Sequence, residues 1–281
     1  MYRRAFIALA CAAAVAAPSG IARSADPAAT PAFHVGIAPH TSARIILQQY
    51  QGVRAALEAG LGRPVEILTA PDFTEFARRA VNQEYDLAVT TGHQARMLEA
   101  DAGYRPLLTY RADFSAVTVV AADSRAARPT DLDGTTVLGL SPSSLVTLWG
   151  QHWLRDAGVR ADVHYVSAAD SVAQIVLSGD ASAGFMSTAN FQSLSPETRS
   201  RLRFLAESGV LIGRVYMLNG HGAGDLEKIA GILLAYAETP AGQSYFDTTA
   251  LVGYRRLASG ELASMDPYAD EVRKVLNKAD R

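Results

Sequence analysis

Hydroxyl side chains gather at two places where an apolar run gives way to helical spacing. SPSSLVTLWG, residues 141–150, follows TTVLGL and supplies Ser141, Ser143 and Ser144. YDLAVTTG, residues 85–92, ends in Thr90, Thr91 and Gly92, with His93 next. A helix start offers free N–H groups and a partial positive charge, so hydroxyls clustered there suit an anion. The same residues also serve as plain caps. One serine at 143 or 144 satisfies a helix start, and Pro142 keeps Ser141 out of it. Ser187 ends a later apolar run, ASAGFMS. Phe73 opens a helical stretch after a strand, where it either stacks on a ligand or joins the core. Arg214 lies in a return strand, able to grip an oxyanion with two N–H groups or to form a structural ion pair. His40 and His93 follow the first and third strands. Two imidazoles can begin a metal site, but no third ligand is evident, so no metal or other cofactor is expected.

Catalytic sets are absent from the pattern. There is no G-x-S-x-G elbow, P-loop, G-x-G-x-x-G or HExxH, and no nucleophile is paired with an obvious base. The sequence therefore points to binding and not to an enzyme.

The elements that must position these residues alternate strand and helix. FHVGIA (33–38), PVEILTA (64–70), YDLAVTT and RPLLTY (105–110) read as strands. Helices are expected over 42–60, from Asp72, and through Met97 and Leu98. Asp72 and Glu75 form a capping pair, with Phe73, Phe76, Ala77, Ala80 and Val81 as the apolar face. FSAVTVVAADS (114–124) reads as one longer strand. A second series runs from TVLGLS through a helix at about 144–157, ADVHYVS, a helix over 170–178 and ASAGFMS. RFLAESG (203–209) and RVYMLNG (214–220) are expected to close it, and two helices, around 225–238 and 267–278, end the chain. This rhythm predicts an α/β fold with parallel sheets in two lobes. The final helices need a sheet to cover, so the second lobe is inserted into the first. The expected division is 33–112 with 216–281, and 113–215. Ligands of open α/β sheets sit beyond the carboxyl ends of strands, which directs attention to loops 39–42, 70–73, 90–93, 141–147 and 187–190.

Composition narrows the class. The 281 residues are 49% hydrophobic and carry a net charge of −2, with no basic run to suggest nucleic acid. Arg3 and Arg4 precede AFIALACAAAVAA, the form of a secretory signal. The run is too short for a span of about 30 Å of hydrocarbon. Residues 1–24 are expected to be a cleaved signal peptide and 25–32 a flexible leader. Cleavage after Ser24 removes Arg3, Arg4 and Arg23 and no acid, leaving a net charge of −5. Cys11, the one cysteine, goes with it, so the mature chain has no disulfide or thiolate site. An exported protein follows, periplasmic in location.

Seven segments together carry a resemblance: VGIAP (35–39), LGRPVEILTAPDFTEF (61–76), YDLAVTTG (85–92), LDGTTVLGLSPSS (132–144), LSGDASAGF (177–185), TPAGQ (239–243) and LASMDPY (262–268). The chain resembles the periplasmic solute-binding proteins of phosphate, phosphite and phosphonate ABC importers, the PhnD-like branch of the type II binding-protein fold. The resemblance implies two doubly wound lobes, a central ligand cleft and a two-strand hinge. It implies a receptor that hands a small anionic solute to an ABC permease; a ligand-binding protein that signals to a membrane histidine kinase is the alternative, and a monomer is expected. It places an aromatic at Phe73, a ligand-facing strand end at Thr90 and Thr91, and a hydroxyl-rich helix start at Ser143 and Ser144.

The departures are specific. Phosphonate binders of the family show D-P-x-S-T-S-G where this chain has SPSSLVT, so Leu145 and Val146 replace two positions of the cluster. A family histidine falls on Ala169. Carboxylates suited to an ammonium tail fall near Ala189 and on Arg214. These changes imply a less polar pocket with an added cation, for another small oxyanion or an organic acid.

Overall fold

The structure, a computed structural model, describes residues 30–221 and 225–279. The expected signal peptide and most of the leader lie outside the described residues.

Two sheets organise the chain. The first has six strands in the order β11-β4-β10-β3-β1-β2: β1 Phe33–Ile37, β2 Val65–Thr69, β3 Leu87–Thr91, β4 Tyr104–Tyr110, β10 Arg214–Asn219 and β11 Tyr254–Arg255. The second has five, β7-β6-β8-β5-β9: β5 Ala116–Ala121, β6 Thr136–Gly139, β7 Asp162–Tyr165, β8 Ala183–Ser187 and β9 Leu202–Glu207. β3 and β8 are buried along their whole length. Near-continuous apolar runs such as theirs are what strands covered on both faces require.

Helices cover both faces of the first sheet. On one lie α1 (Ala43–Gln49), α2 (Gln51–Leu61), α9 (Leu226–Ala237) and α10 (Pro240–Thr249), with Ile46, Val53, Leu57, Ile229, Leu233 and Phe246 in the core. On the other lie α3 (Phe73–Val81), α4 (Gly92–Asp101) and α11 (Asp266–Ala279), burying Phe76, Ala80, Leu98, Ala269 and Val272. The second sheet carries α5 (Leu145–Asp156) and α6 (Ala169–Ser178), with the short α7 (Thr188–Ser193) and α8 (Pro196–Ser200) leading into β9. α5 serves both sheets. Its Leu154 packs with Phe185 and Val137 of the second, while Leu145 and Leu148 join the core on the α3–α4 side of the first.

Several expectations change. RVYMLNG does not close the second series: β10 inserts between β3 and β4 of the first sheet, antiparallel to both. β5 is likewise antiparallel to β8 and β9. Both sheets are therefore mixed, because each is entered by a strand arriving directly from the other, without a crossover helix. The strand expected over 114–124 shortens to β5, since the chain turns at Ser124, whose N–H bonds Ala121 O. Phe114 keeps only an isolated bridge to Leu211. That bridge ties together the two segments crossing between sheets and makes the two-strand hinge. The helix expected over 42–60 is broken at Tyr50, which leaves helical geometry (φ −90°, ψ 6°) as its ring enters the core. It ends at Gly62, whose left-handed φ of 67° suits glycine; Gly60 lies inside α2. Val81 is solvent-exposed and not part of the apolar face of α3. Helix α10 and strand β11 carry no periodicity strong enough to have been expected.

Candidate functional site

Three helix starts meet at Ser143. Asp72 caps α3 by accepting from the N–H groups of Thr74 and Glu75. Glu75 does not return the cap but pairs with Arg78 and Arg79, which hold its carboxyl down at about 2. The first turn of α3 thus presents Thr74, whose Oγ1 lies 2.8 Å from Ser143 Oγ. α4 begins at Gly92, and its His93 Nε2–H donates to Ser143 O at 2.9 Å. α5 begins just beyond, with Ser144 at its cap position and no side-chain capping bond.

His93 is fixed by this arrangement. Nε2 faces a carbonyl, so it carries the proton, and Nδ1 accepts from Thr91 Oγ1 at 3.1 Å. Burial lowers its pKa to about 4, and the ring is neutral. Thr90 turns to the opposite face of β3 and donates to Gln94 Oε1 at 2.6 Å. Gln94 Nε2 then donates to Phe73 O at 2.9 Å. The two threonine hydroxyl protons thus hold the starts of α3 and α4 in place. Phe73 is half-buried against the core on that side.

Across the seam, Ser141 follows β6. It is 8% exposed, and its Oγ is buried without a hydrogen-bond partner. Its carbonyl accepts the Ser144 N–H. Ser187, the last residue of β8, is engaged with Asn190, donating to Oδ1 at 2.8 Å and accepting from N at 3.0 Å. Leu145 and Val146 are buried, Val146 against Ala116 and Trp149. They build the wall behind Ser143 and Ser144 and offer no polar atom to a ligand.

Arg214 opens β10 directly opposite Thr91. It is partly buried, with its guanidinium 5.8 Å above the Tyr110 ring. Among the described residues it has no carboxylate partner; the tyrosines Tyr50, Tyr110 and Tyr245 surround it. His40 lies nearby. Burial, then the Arg214 charge, lowers its pKa to about 3. Its Nδ1 donates to Ala38 O at 2.9 Å. The tyrosines were missed in the sequence because they come from three separate places, the junction of α1 and α2, β4 and α10, and read singly as core. Arg214 and the loop after β1 were the only pointers to them.

Among the described residues, no group of three or more His, Cys, Asp or Glu is placed to hold a metal. His40 and His93 keep separate partners. No helix of the described residues is long and apolar enough to cross a membrane.

Two mixed α/β bodies joined by a two-strand hinge, with helix starts converging on the seam between them, define a periplasmic binding protein of type II. The fold is shared with XAC2383 from Xanthomonas citri bound to ATP (TM-score 0.74, 18% identity, 88% of this chain and 99% of that one). It is shared too with PhnD1 from Prochlorococcus marinus in complex with methylphosphonate (TM-score 0.75, 14% identity, 86% and 98%). The periplasmic aliphatic sulphonate binding protein SsuA from Escherichia coli is more distant, at a TM-score of 0.57 and 16% identity over 88% and 93%. No curated protein sequence matches. The chain belongs to the family described as ABC transporter, phosphonate, periplasmic substrate-binding protein, whose model matches residues 35–260. It is a periplasmic solute-binding receptor of an ABC importer.

Proposed function

We propose that this receptor captures a small anionic solute at the seam between the sheets and releases it to the membrane permease. The two sheets act as lobes, divided near residues 113 and 215, that close on the solute about the Phe114–Leu211 bridge. The observation that carries the reading is the convergence of α3, α4 and α5 on Ser143. Three helix starts aimed at one place create a positive potential without a mobile cation. The buried, unpartnered Ser141 Oγ adds a donor on the far side. Phe73, Thr90, Thr91, His93, Ser141, Ser143, Ser144, Ser187 and Arg214 form the proposed surround, the threonines and His93 by positioning the helix starts. The site is complete within one chain, which supports action as a monomer. Its histidines are neutral and internally committed, which supports binding without catalysis. Export by residues 1–24 belongs to the same proposal.

Titration calorimetry and thermal unfolding with phosphate, phosphite, methylphosphonate, methanesulfonate and acetate test this. A binding anion at a hundredfold excess over its dissociation constant raises stability by about 2.7 kcal/mol. Absence of heat and of any shift with all five sinks the reading.

A further inference from the structure

Beneath Arg214 lies a cluster of buried tyrosines. Tyr50, Tyr110, Tyr216, Tyr245 and Tyr254 are all buried, and their hydroxyls form a single branched chain. Tyr110 Oη sits 2.8 Å from Tyr216 Oη, 2.7 Å from Tyr245 Oη and 3.4 Å from Tyr50 Oη, and Tyr216 reaches Tyr254 at 2.9 Å. Four hydrogen bonds join five hydroxyls, and each bond uses one hydrogen. One hydroxyl hydrogen is therefore left over. Above the chain, the guanidinium brings five N–H donors and meets no carboxylate among the described residues. The hydroxyl chain thus has one hydrogen to spare, and the positive charge above it has no carboxylate counterion among the described residues.

We propose that Arg214 and these tyrosines form a single-charge subsite that takes the oxyanion head of an organic monoanion, a carboxylate or a sulfonate, and discriminates against dianions. The proposal rests on the reading of the seam as an anion site and names the class of its ligand. The planar guanidinium matches two oxygens of such a head, and the spare hydroxyl hydrogen suits a further lone pair. No second cation is at hand. His40 faces the same group, but its Nδ1–H is spent on Ala38 O, and with a pKa lowered to about 3 by burial and by Arg214 it stays neutral. Burial pushes the Tyr110, Tyr216, Tyr245 and Tyr254 hydroxyls well above the ordinary phenol range, so they too stay neutral. A dianion would leave one charge uncompensated where water is scarce, a costly state.

Calorimetry on the mature chain with acetate, methanesulfonate and methylphosphonate decides the matter. At about pH 9 methylphosphonate has lost both protons, while at about pH 6 it is largely a monoanion. Neither His40 nor Arg214 changes charge between these values. The tighter of acetate and methanesulfonate is expected to bind at least about tenfold better than methylphosphonate at the higher pH, a difference of about 1.4 kcal/mol. Methylphosphonate should gain about tenfold on moving to the lower pH while acetate stays level. Arg214→Gln should lose the monoanion, and Arg214→Lys, which keeps the charge and guards against a folding defect, should retain the preference for single charge. Equal or tighter binding of the dianion overturns the proposal. So does unchanged monoanion affinity in a folded Arg214→Gln protein, an outcome that leaves anion capture at Ser143 standing. Failure of every anion to bind removes both.

Discussion

Ser143, on the loop between β6 and α5, and Thr74, in the first turn of α3, are joined by a hydrogen bond of 2.8 Å, oxygen to oxygen. The bond crosses the seam between elements 69 residues apart, and the neighbouring Ser143 carbonyl is held by His93. One residue therefore latches two helix starts of the first sheet to the second. Ser143→Ala removes the hydroxyl and leaves Thr74 Oγ1 without this partner. A loss of about 0.5–1.5 kcal/mol in closure is expected, read as a larger radius of gyration by small-angle scattering and weaker anion affinity. Unchanged dimensions and affinity would show that the bond does not hold the seam.

Acid should unfold the protein through His40 and His93. Both have folded pKa values below the ordinary value of 6.5, about 3 and about 4, chiefly from burial. Above about pH 7 neither state binds a proton and stability is full. As pH falls through 6.5 the unfolded chain takes up protons that the folded chain refuses, so stability declines. The decline is about 1.4 kcal/mol per pH unit for each fully engaged histidine, down to about pH 4 for His93. Urea titrations between about pH 7.5 and 4.5 measure it. His93→Gln should flatten the slope, and an unchanged slope would clear His93 of the effect.

Gln94 joins two helix starts by accepting from Thr90 and donating to the Phe73 carbonyl. Gln94→Leu leaves the buried Thr90 hydroxyl without this acceptor and strips one of the bonds on the Phe73 carbonyl, at about 1–3 kcal/mol. Chemical denaturation reads the loss. Rescue by Gln94→Glu should be poor, since a carboxylate cannot donate to Phe73 O.

Gly92 sits where the hinge touches α4. Its N–H donates to Ile212 O at 3.1 Å, and a Cβ there would stand 2.6 Å from Ile212 Cβ and 2.7 Å from Ile212 O. Gly92→Ala must push the hinge segment at Ile212 away, with a destabilisation of about 1–3 kcal/mol and weakened anion binding. A variant with wild-type melting temperature would contradict this close approach.

The local elements were legible because each is written in adjacent residues. Runs such as LAVTT are buried on both faces, Asp72 caps α3, and Gly62 and Gly179 end helices in left-handed conformations. The hydroxyls of 90–91 and 141–144 were visible as clusters for the same reason, and their order along the chain carried the family. What each hydroxyl does was not visible. Whether Thr90 faces a ligand or Gln94, and whether Ser187 is free or closed on Asn190, depends on side-chain direction and on partners brought in by neighbouring elements. RVYMLNG reads as a strand in isolation, and nothing local tells it to leave the second sheet for the first. That choice follows from which sheet has an unfilled edge between β3 and β4. It also decides the electrostatics of the molecule. By entering the first sheet, β10 carries Arg214 onto the face where tyrosines from α2's threshold, β4, α10 and β11 have already excluded acidic side chains. A cation without a counterion is thus a product of tertiary packing alone.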